Sequence, residues 1–153
     1  MLATYKQYFR ILLTSLKKAF SIYKTYKMEN LYLEGNQHLP RVTFDKNIQL
    51  FEISGVSNES NAEDYYKPVF EWLDLYIKDP LQFTIFQFKI QYYNSESSYI
   101  FFKIMQKIQH IKDLGYKVNI KWYYEDDDES ILEAGMDLKD IFIMDFDLIK
   151  KTA

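Results

Sequence analysis

The chain has 153 residues, 48% hydrophobic and 18% aromatic, with 14 Tyr and 12 Phe, so it is too apolar for a disordered polymer and long enough to bury a core without staples. It has no Cys, which excludes disulfides, thiolate catalysis and Cys-type zinc sites and agrees with a cytoplasmic protein. The net charge of −3 is unevenly spread: residues 1–27 hold Lys6, Arg10, Lys17, Lys18, Lys24 and Lys27 with no acid, so all 22 Asp and Glu lie in the remainder, an acidic body that argues against a nucleic-acid groove.

At 100° per residue, Leu2, Tyr5, Phe9, Leu12, Leu16, Phe20 and Tyr23 share one helical face, while Lys6, Arg10, Lys17 and Lys24 gather on another. Residues 1–27 therefore read as a basic amphipathic helix, able to lie on an anionic membrane or to bind an acidic partner surface. Charges interrupt it too often for a transmembrane span, and Ile11-Leu12-Leu13 is too short for a signal-peptide core. Two plainer readings stand beside this one: Met28 is the natural start, or the helix packs on its own domain.

From Met28 to residue 153 the pattern is that of one domain. Leu31-Tyr32-Leu33, Val42 and Phe44, and Leu50-Phe51-Glu52-Ile53 alternate as short strands, and a polar loop, Gly55 to Asn61, offers caps for a helix over 62–78. Pro68 inside that helix predicts a kink or a regular part that begins near Lys67. Residues 82–93 alternate as a long strand with Thr84, Phe86, Phe88, Ile90 and Tyr92 on one face. A hydroxyl-rich hinge, Asn94-Ser95-Glu96-Ser97-Ser98, leads to a helix pattern that begins near Ser98 and ends by Gly115. Val118, Ile120 and Trp122 mark another strand, the acidic run 125–129 precedes a further helix, and Phe142, Met144, Phe146 and Leu148 alternate in a last strand.

The order β-β-(β)-α-β-α-β-α-β predicts an α/β domain with a mixed sheet, because strands separated by helices need parallel pairing. Alternating rather than continuous apolar runs predicts helices mainly on one face.

Little supports catalysis. The acidic run lacks the spacing of a calcium loop, His38 and His110 belong to no ligand-spaced set, and four Gly in the whole chain provide no phosphate cradle or nucleophile elbow. No metal or cofactor is expected. Asp145 and Asp147 read as surface charges, and Trp122-Tyr123-Tyr124 as core packing rather than a base-stacking platform. The hinge is the informative feature, since a hydroxyl at a helix N-terminus meets backbone donors and the positive end of the dipole. Ser95 is the candidate for phosphorylation, and a simple N-cap is the plainer account of the same residues.

Several stretches taken together resemble the SiaC-like bacterial regulatory phosphoproteins. They are Met28-Glu29-Asn30-Leu31-Tyr32-Leu33-Glu34 with Leu39-Pro40 and Phe44-Asp45, Tyr66-Lys67-Pro68-Val69-Phe70-Glu71-Trp72-Leu73, Tyr93-Asn94-Ser95, and Trp122-Tyr123-Tyr124-Glu125-Asp126-Asp127-Asp128 with Leu132-Glu133-Ala134-Gly135. The resemblance covers about residues 28–149. It implies a STAS-like domain that is not an enzyme, switched by phosphorylation of one hydroxyl in an Asn-Thr/Ser-Ser motif. A dedicated kinase adds the phosphate and a PP2C-type phosphatase removes it. It further implies that the unphosphorylated form binds and activates a diguanylate cyclase, in cyclic-di-GMP signalling and biofilm formation. Asn94-Ser95 falls on the motif, with Ser95 where Thr is common. Glu96 stands where Ser is usual and Tyr99 where a basic residue is expected, so Ser97 and Ser98 remain alternative targets.

The expectation is thus a cytoplasmic partner-switching protein phosphorylated on Ser95, with Asn94, Glu96, Ser97, Ser98 and Tyr99 forming the partner surface. The alternative is an adaptor, peripheral at the inner membrane, that uses Lys6, Arg10, Lys17 and Lys24 without a phosphoswitch.

Overall fold

The computed structural model describes residues 2–25 and 28–151, with side chains described for 5–18 and 28–151. The chain forms helix α1 (Leu2–Thr25), strands β1 (Leu31–Leu33), β2 (Arg41–Asp45) and β3 (Leu50–Ser57), then α2 (Glu63–Tyr76), β4 (Phe83–Tyr93), α3 (Ser95–Asp113), β5 (Lys117–Tyr124), α4 (Glu129–Ile141) and β6 (Asp145–Lys150). All six strands lie in one sheet in chain order. β1, β2 and β3 are an antiparallel meander, and β3 to β6 are parallel.

This order explains the single helical layer. Each parallel connection moves one strand in the same direction, and crossovers of the usual right hand then deliver α2, α3 and α4 to the same face. On that face Phe44, Phe51, Phe86, Phe88, Ile120 and Trp122 are buried against Tyr66, Trp72, Tyr76, Phe101 and Ile104 of the helices. The aromatic content of the chain is concentrated here: Trp72 stacks on Tyr76 at 4.8 Å between centroids, and Phe88 stacks on Trp122 at 5.7 Å. Such pairs contribute about 0.5–1.5 kcal/mol each beyond burial. The opposite face is polar and cross-linked between strands. Lys89 pairs with Glu52 at 2.5 Å and lies over the Tyr123 ring, Tyr123 donates to Gln87, and Asn119 donates to Asp147.

The architecture is the expected one, with three local differences. α2 runs unbroken from Glu63 through Pro68. The bond that proline forfeits belongs to the carbonyl of exposed Asp64 near the helix start, where solvent can replace it, so the helix need not wait for Lys67. α3 begins at Ser95, not near Ser98, because Asn94 caps it.

The third difference lies at the end of β4. Gly55 pairs with Ile90 but Val56 pairs with Tyr92, so Gln91 is an extra residue that reverses the alternation. Tyr92 is 56% exposed instead of sharing the core face with Ile90, and Tyr93 packs on Phe101 at 5.4 Å.

Every described side chain from Tyr5 to Lys18 of α1 is exposed, so these residues do not pack on the domain. No helix among the described residues is long and apolar enough to cross a membrane.

Candidate functional site

The carboxyl ends of β3 and β4 meet at Ser57 and Tyr93, and there the bulge at Gln91 sets where the chain turns into α3. Asn94 has extended backbone (φ −90°, ψ 177°), and its amide donates to the Ser57 carbonyl at 3.1 Å. Its side-chain Oδ1 accepts from the Ser97 amide at 2.9 Å, and its carbonyl accepts from the Ser98 amide at 2.9 Å. Asn94 is therefore the N-cap, and Ser95 is the first residue of the helix. The Ser95 side chain is exposed.

The hinge residues divide by helical geometry. Ser95, Ser98 and Tyr99 face solvent, with Tyr99 60% exposed. Ser97 points inward and is fully buried. Its hydroxyl is 2.8 Å from that of Ser57, which is 2.7 Å from the hydroxyl of buried Tyr66. Burial raises the Tyr66 pKa, so that hydroxyl stays neutral and holds the network instead of acting as a base. Of the residues expected to form the partner surface, Ser97 alone is buried, with its oxygen turned to the interior.

Glu96 is half-buried, and its carboxylate accepts from the Asn61 amide at 3.3 Å. Asn61 has φ 61° in the left-handed region, which Asn tolerates better than most residues. Tyr99 stands where a basic residue is expected, but one turn further the Lys103 ammonium lies 5.3 Å from the Tyr99 ring and 5.1 Å from the Phe70 ring. A basic group therefore accompanies this face of α3.

Neighbouring loops complete the end of the sheet. The Asn58 amide donates to the His38 carbonyl at 2.9 Å, and their side chains meet at 2.9 Å. The Tyr65 hydroxyl donates to the Pro40 carbonyl at 2.5 Å. His38 is engaged by Asn58, and His110 lies near the far end of α3, roughly 22 Å along the axis at about 1.5 Å per residue.

Beside Ser98, a cleft of about 330 Å³ opens between α3 and α4, lined by Tyr93, Phe102 and Leu138 with Glu133 and Asp137. Burial first and the Asp137 charge second raise the Tyr93 pKa. Sequence reasoning missed this cleft and the buried hydroxyls of Ser57, Ser97 and Tyr66. Ser57 carried a signal, because it continues the core parity of Phe51 and Ile53, where a polar side chain needs a buried partner. The acidic run is structural: Asp128 caps α4 by accepting from the Ile131 amide at 3.0 Å, while Lys150 and Lys151 pair with Asp126 and Glu125. No group of three or more metal-ligating side chains gathers among the described residues. On the expected membrane or partner helix, Lys6, Arg10 and Lys17 are exposed on α1, and the Lys24 side chain lies outside the described residues.

A family model described as SiaC family regulatory phosphoprotein matches residues 33–151. The chain belongs to the SiaC family. It is a regulatory protein rather than an enzyme, and its mixed α/β domain has the fold of solved SiaC structures. An uncharacterized protein of Pseudomonas aeruginosa strain UCBPP-PA14 is 20% identical over 113 residues, 74% of this chain and 90% of that protein. The structure of apo-SiaC from Pseudomonas aeruginosa matches with TM-score 0.73 at 19% identity, covering 80% of this chain and 99% of that one. SiaC bound as activator to the diguanylate cyclase SiaD from the same organism matches with TM-score 0.74 at 18% identity, covering 79% of this chain and 99% of that one. At these identities the structural likeness establishes the fold.

Proposed function

We propose that this protein is a partner switch: unphosphorylated, it binds and controls a diguanylate cyclase, and phosphorylation of Ser95 ends that contact. A protein kinase adds the phosphate and a PP2C-type phosphatase removes it. The observation that carries the assignment is the division of the hinge, with Ser95 exposed at the first position of a capped helix and Ser97 locked inside. Family membership supports a regulatory phosphoprotein, and the SiaD–SiaC complex supports a cyclase as the class of partner.

The mechanism follows from charge. A phosphate adds about −1.5 to −2 charges and three acceptor oxygens. Asn94 engages the Ser97 and Ser98 amides of the first turn of α3, which leaves the Ser95 and Glu96 amides to donate to it, so the domain need not unfold to hold it. Yet Glu96 adjoins it in sequence, and the nearby α3/α4 cleft carries Glu133 and Asp137. A partner that docks on this surface meets a doubly charged group where it met a hydroxyl. If that group is desolvated without a basic mate, binding falls steeply, as for any buried unpaired charge. The kinase and phosphatase read the same exposed helix start.

Incubation with the cognate kinase and ATP, followed by phosphopeptide mapping, tests the site. The expected result is one phosphate on Ser95 and none on Ser95→Ala. Stoichiometric phosphate on another residue, undiminished in Ser95→Ala, overturns it.

A further inference from the structure

We propose that α1 is an interfacial anchor that lays its apolar face into an anionic lipid surface, independently of the Ser95 switch. The helix is present from Leu2 to Thr25, and its apolar side chains face water: Tyr5 is 74% exposed, Phe9 63%, Leu12 59% and Leu16 58%. Spacings of four, three and four place these four residues on one stripe, with Leu13 at its border. Lys6, Arg10 and Lys17 fall together on the flank beside that stripe, where long aliphatic stems can follow the apolar surface while the charged ends stay among headgroups.

Charge selects the occupant. No acid occurs from Leu2 to Thr25, whereas every acid of the chain lies beyond residue 27, so attraction to anionic headgroups resides in α1 and the acidic body contributes none. Basic groups along one flank, combined with an apolar stripe of large side chains, need a surface that is negative at its boundary and hydrocarbon beneath. A lipid interface supplies both without side-chain complementarity. The helix is also additional to the family fold: the family match begins at residue 33, and the solved structures are covered almost completely by about four fifths of this chain. Its role is therefore separable from that of the domain, and its effect is to hold the Ser95 surface at a membrane.

Co-sedimentation of the full chain with vesicles tests this. Vesicles of equal parts phosphatidylcholine and phosphatidylglycerol should bind it at least tenfold more strongly than phosphatidylcholine alone, with binding weakened by salt because exposed charges are screened. The double variant Leu12→Glu, Leu16→Glu should lose binding. The triple variant Lys6→Glu, Arg10→Glu, Lys17→Glu should lose the anionic preference, and both variants should keep the near-ultraviolet circular dichroism of the domain. Three results would overturn the proposal. They are equal partitioning to both vesicles, no partitioning, or a concentration-dependent dimer seen by light scattering that Leu12→Glu, Leu16→Glu abolishes while lipid binding is absent. The last would assign the stripe to a second copy of this chain.

Discussion

Ser57, at the end of β3, places its hydroxyl 2.8 Å from that of Ser97 in the first turn of α3, and both are fully buried. The contact joins residues 40 apart in the chain and holds the Ser97 hydroxyl of the hinge inward. Because Ser57 also bonds Tyr66, it is the shared member. Ser57→Ala leaves two buried hydroxyls without their common partner and should cost about 1–3 kcal/mol, whereas Ser97→Ala keeps the Ser57–Tyr66 bond and should cost about 0.5–1.5 kcal/mol. Urea unfolding of the two variants checks the order, and Ser97→Ala should leave Ser95 phosphorylation intact.

Gly135, inside α4, shows two opposing effects of one methyl group. Alanine in a helix interior normally gains about 1 kcal/mol over glycine. Here its Cβ would stand 2.5 Å from Trp122 Cδ1 and 2.7 Å from Leu148 Cδ2. The indole cannot swing away freely, since its Nε1 donates to the Ile131 carbonyl at 2.8 Å and its ring stacks on Phe88. Overpacking of this kind costs about 1–3 kcal/mol, so Gly135→Ala should be destabilising on balance. A lowered thermal midpoint with an altered near-ultraviolet tryptophan signal is the expected outcome.

The Tyr32 hydroxyl donates to Asp45, whose carboxylate also accepts from the Asn47 and Ile48 amides. The Tyr32 bond is the main cause holding the Asp45 pKa below its usual value, and the same bond raises that of Tyr32. A lowered carboxylate pKa stabilises the fold above the unfolded value of about 4, and that stability is lost as pH falls through the folded value. A raised tyrosine pKa stabilises it below about 10, and that stability is lost as pH rises through the folded value. Tyr32→Phe should therefore be less stable than the parent near neutrality, with the gap narrowing towards both extremes. Urea midpoints measured across pH check this, and a gap independent of pH would contradict it.

Alternation of Phe51 with Ile53 and of Phe86 with Phe88 made the sheet legible, and the crossover rule turned strand order into a one-sided helical layer. Boundaries set by a single cap or by a neighbouring strand were less visible. Asn94 starts α3 at Ser95, but an Asn before a hydroxyl run also reads as a loop. The extra residue at Gln91 arises from pairing with β3 beside Gly55, and Tyr92 and Tyr93 are chemically alike, so only the register reveals which is buried. The inward turn of Ser97 follows from the helix start, so misplacing that start conceals it. The α3/α4 cleft joins residues such as Ser98 and Asp137 that local periodicity cannot bring together.

The central claim is that charge on Ser95 governs partner docking. The direct measurement is the Kd between this protein and a diguanylate cyclase, the proposed class of partner, before and after treatment with the cognate kinase, for the parent and for Ser95→Ala. The account predicts at least a 100-fold loss of affinity on phosphorylation of the parent, about 2.7 kcal/mol, and unchanged tight binding by Ser95→Ala under both conditions. Equal affinity of the phosphorylated and unphosphorylated parent, or an equal kinase-dependent loss in Ser95→Ala, would contradict it.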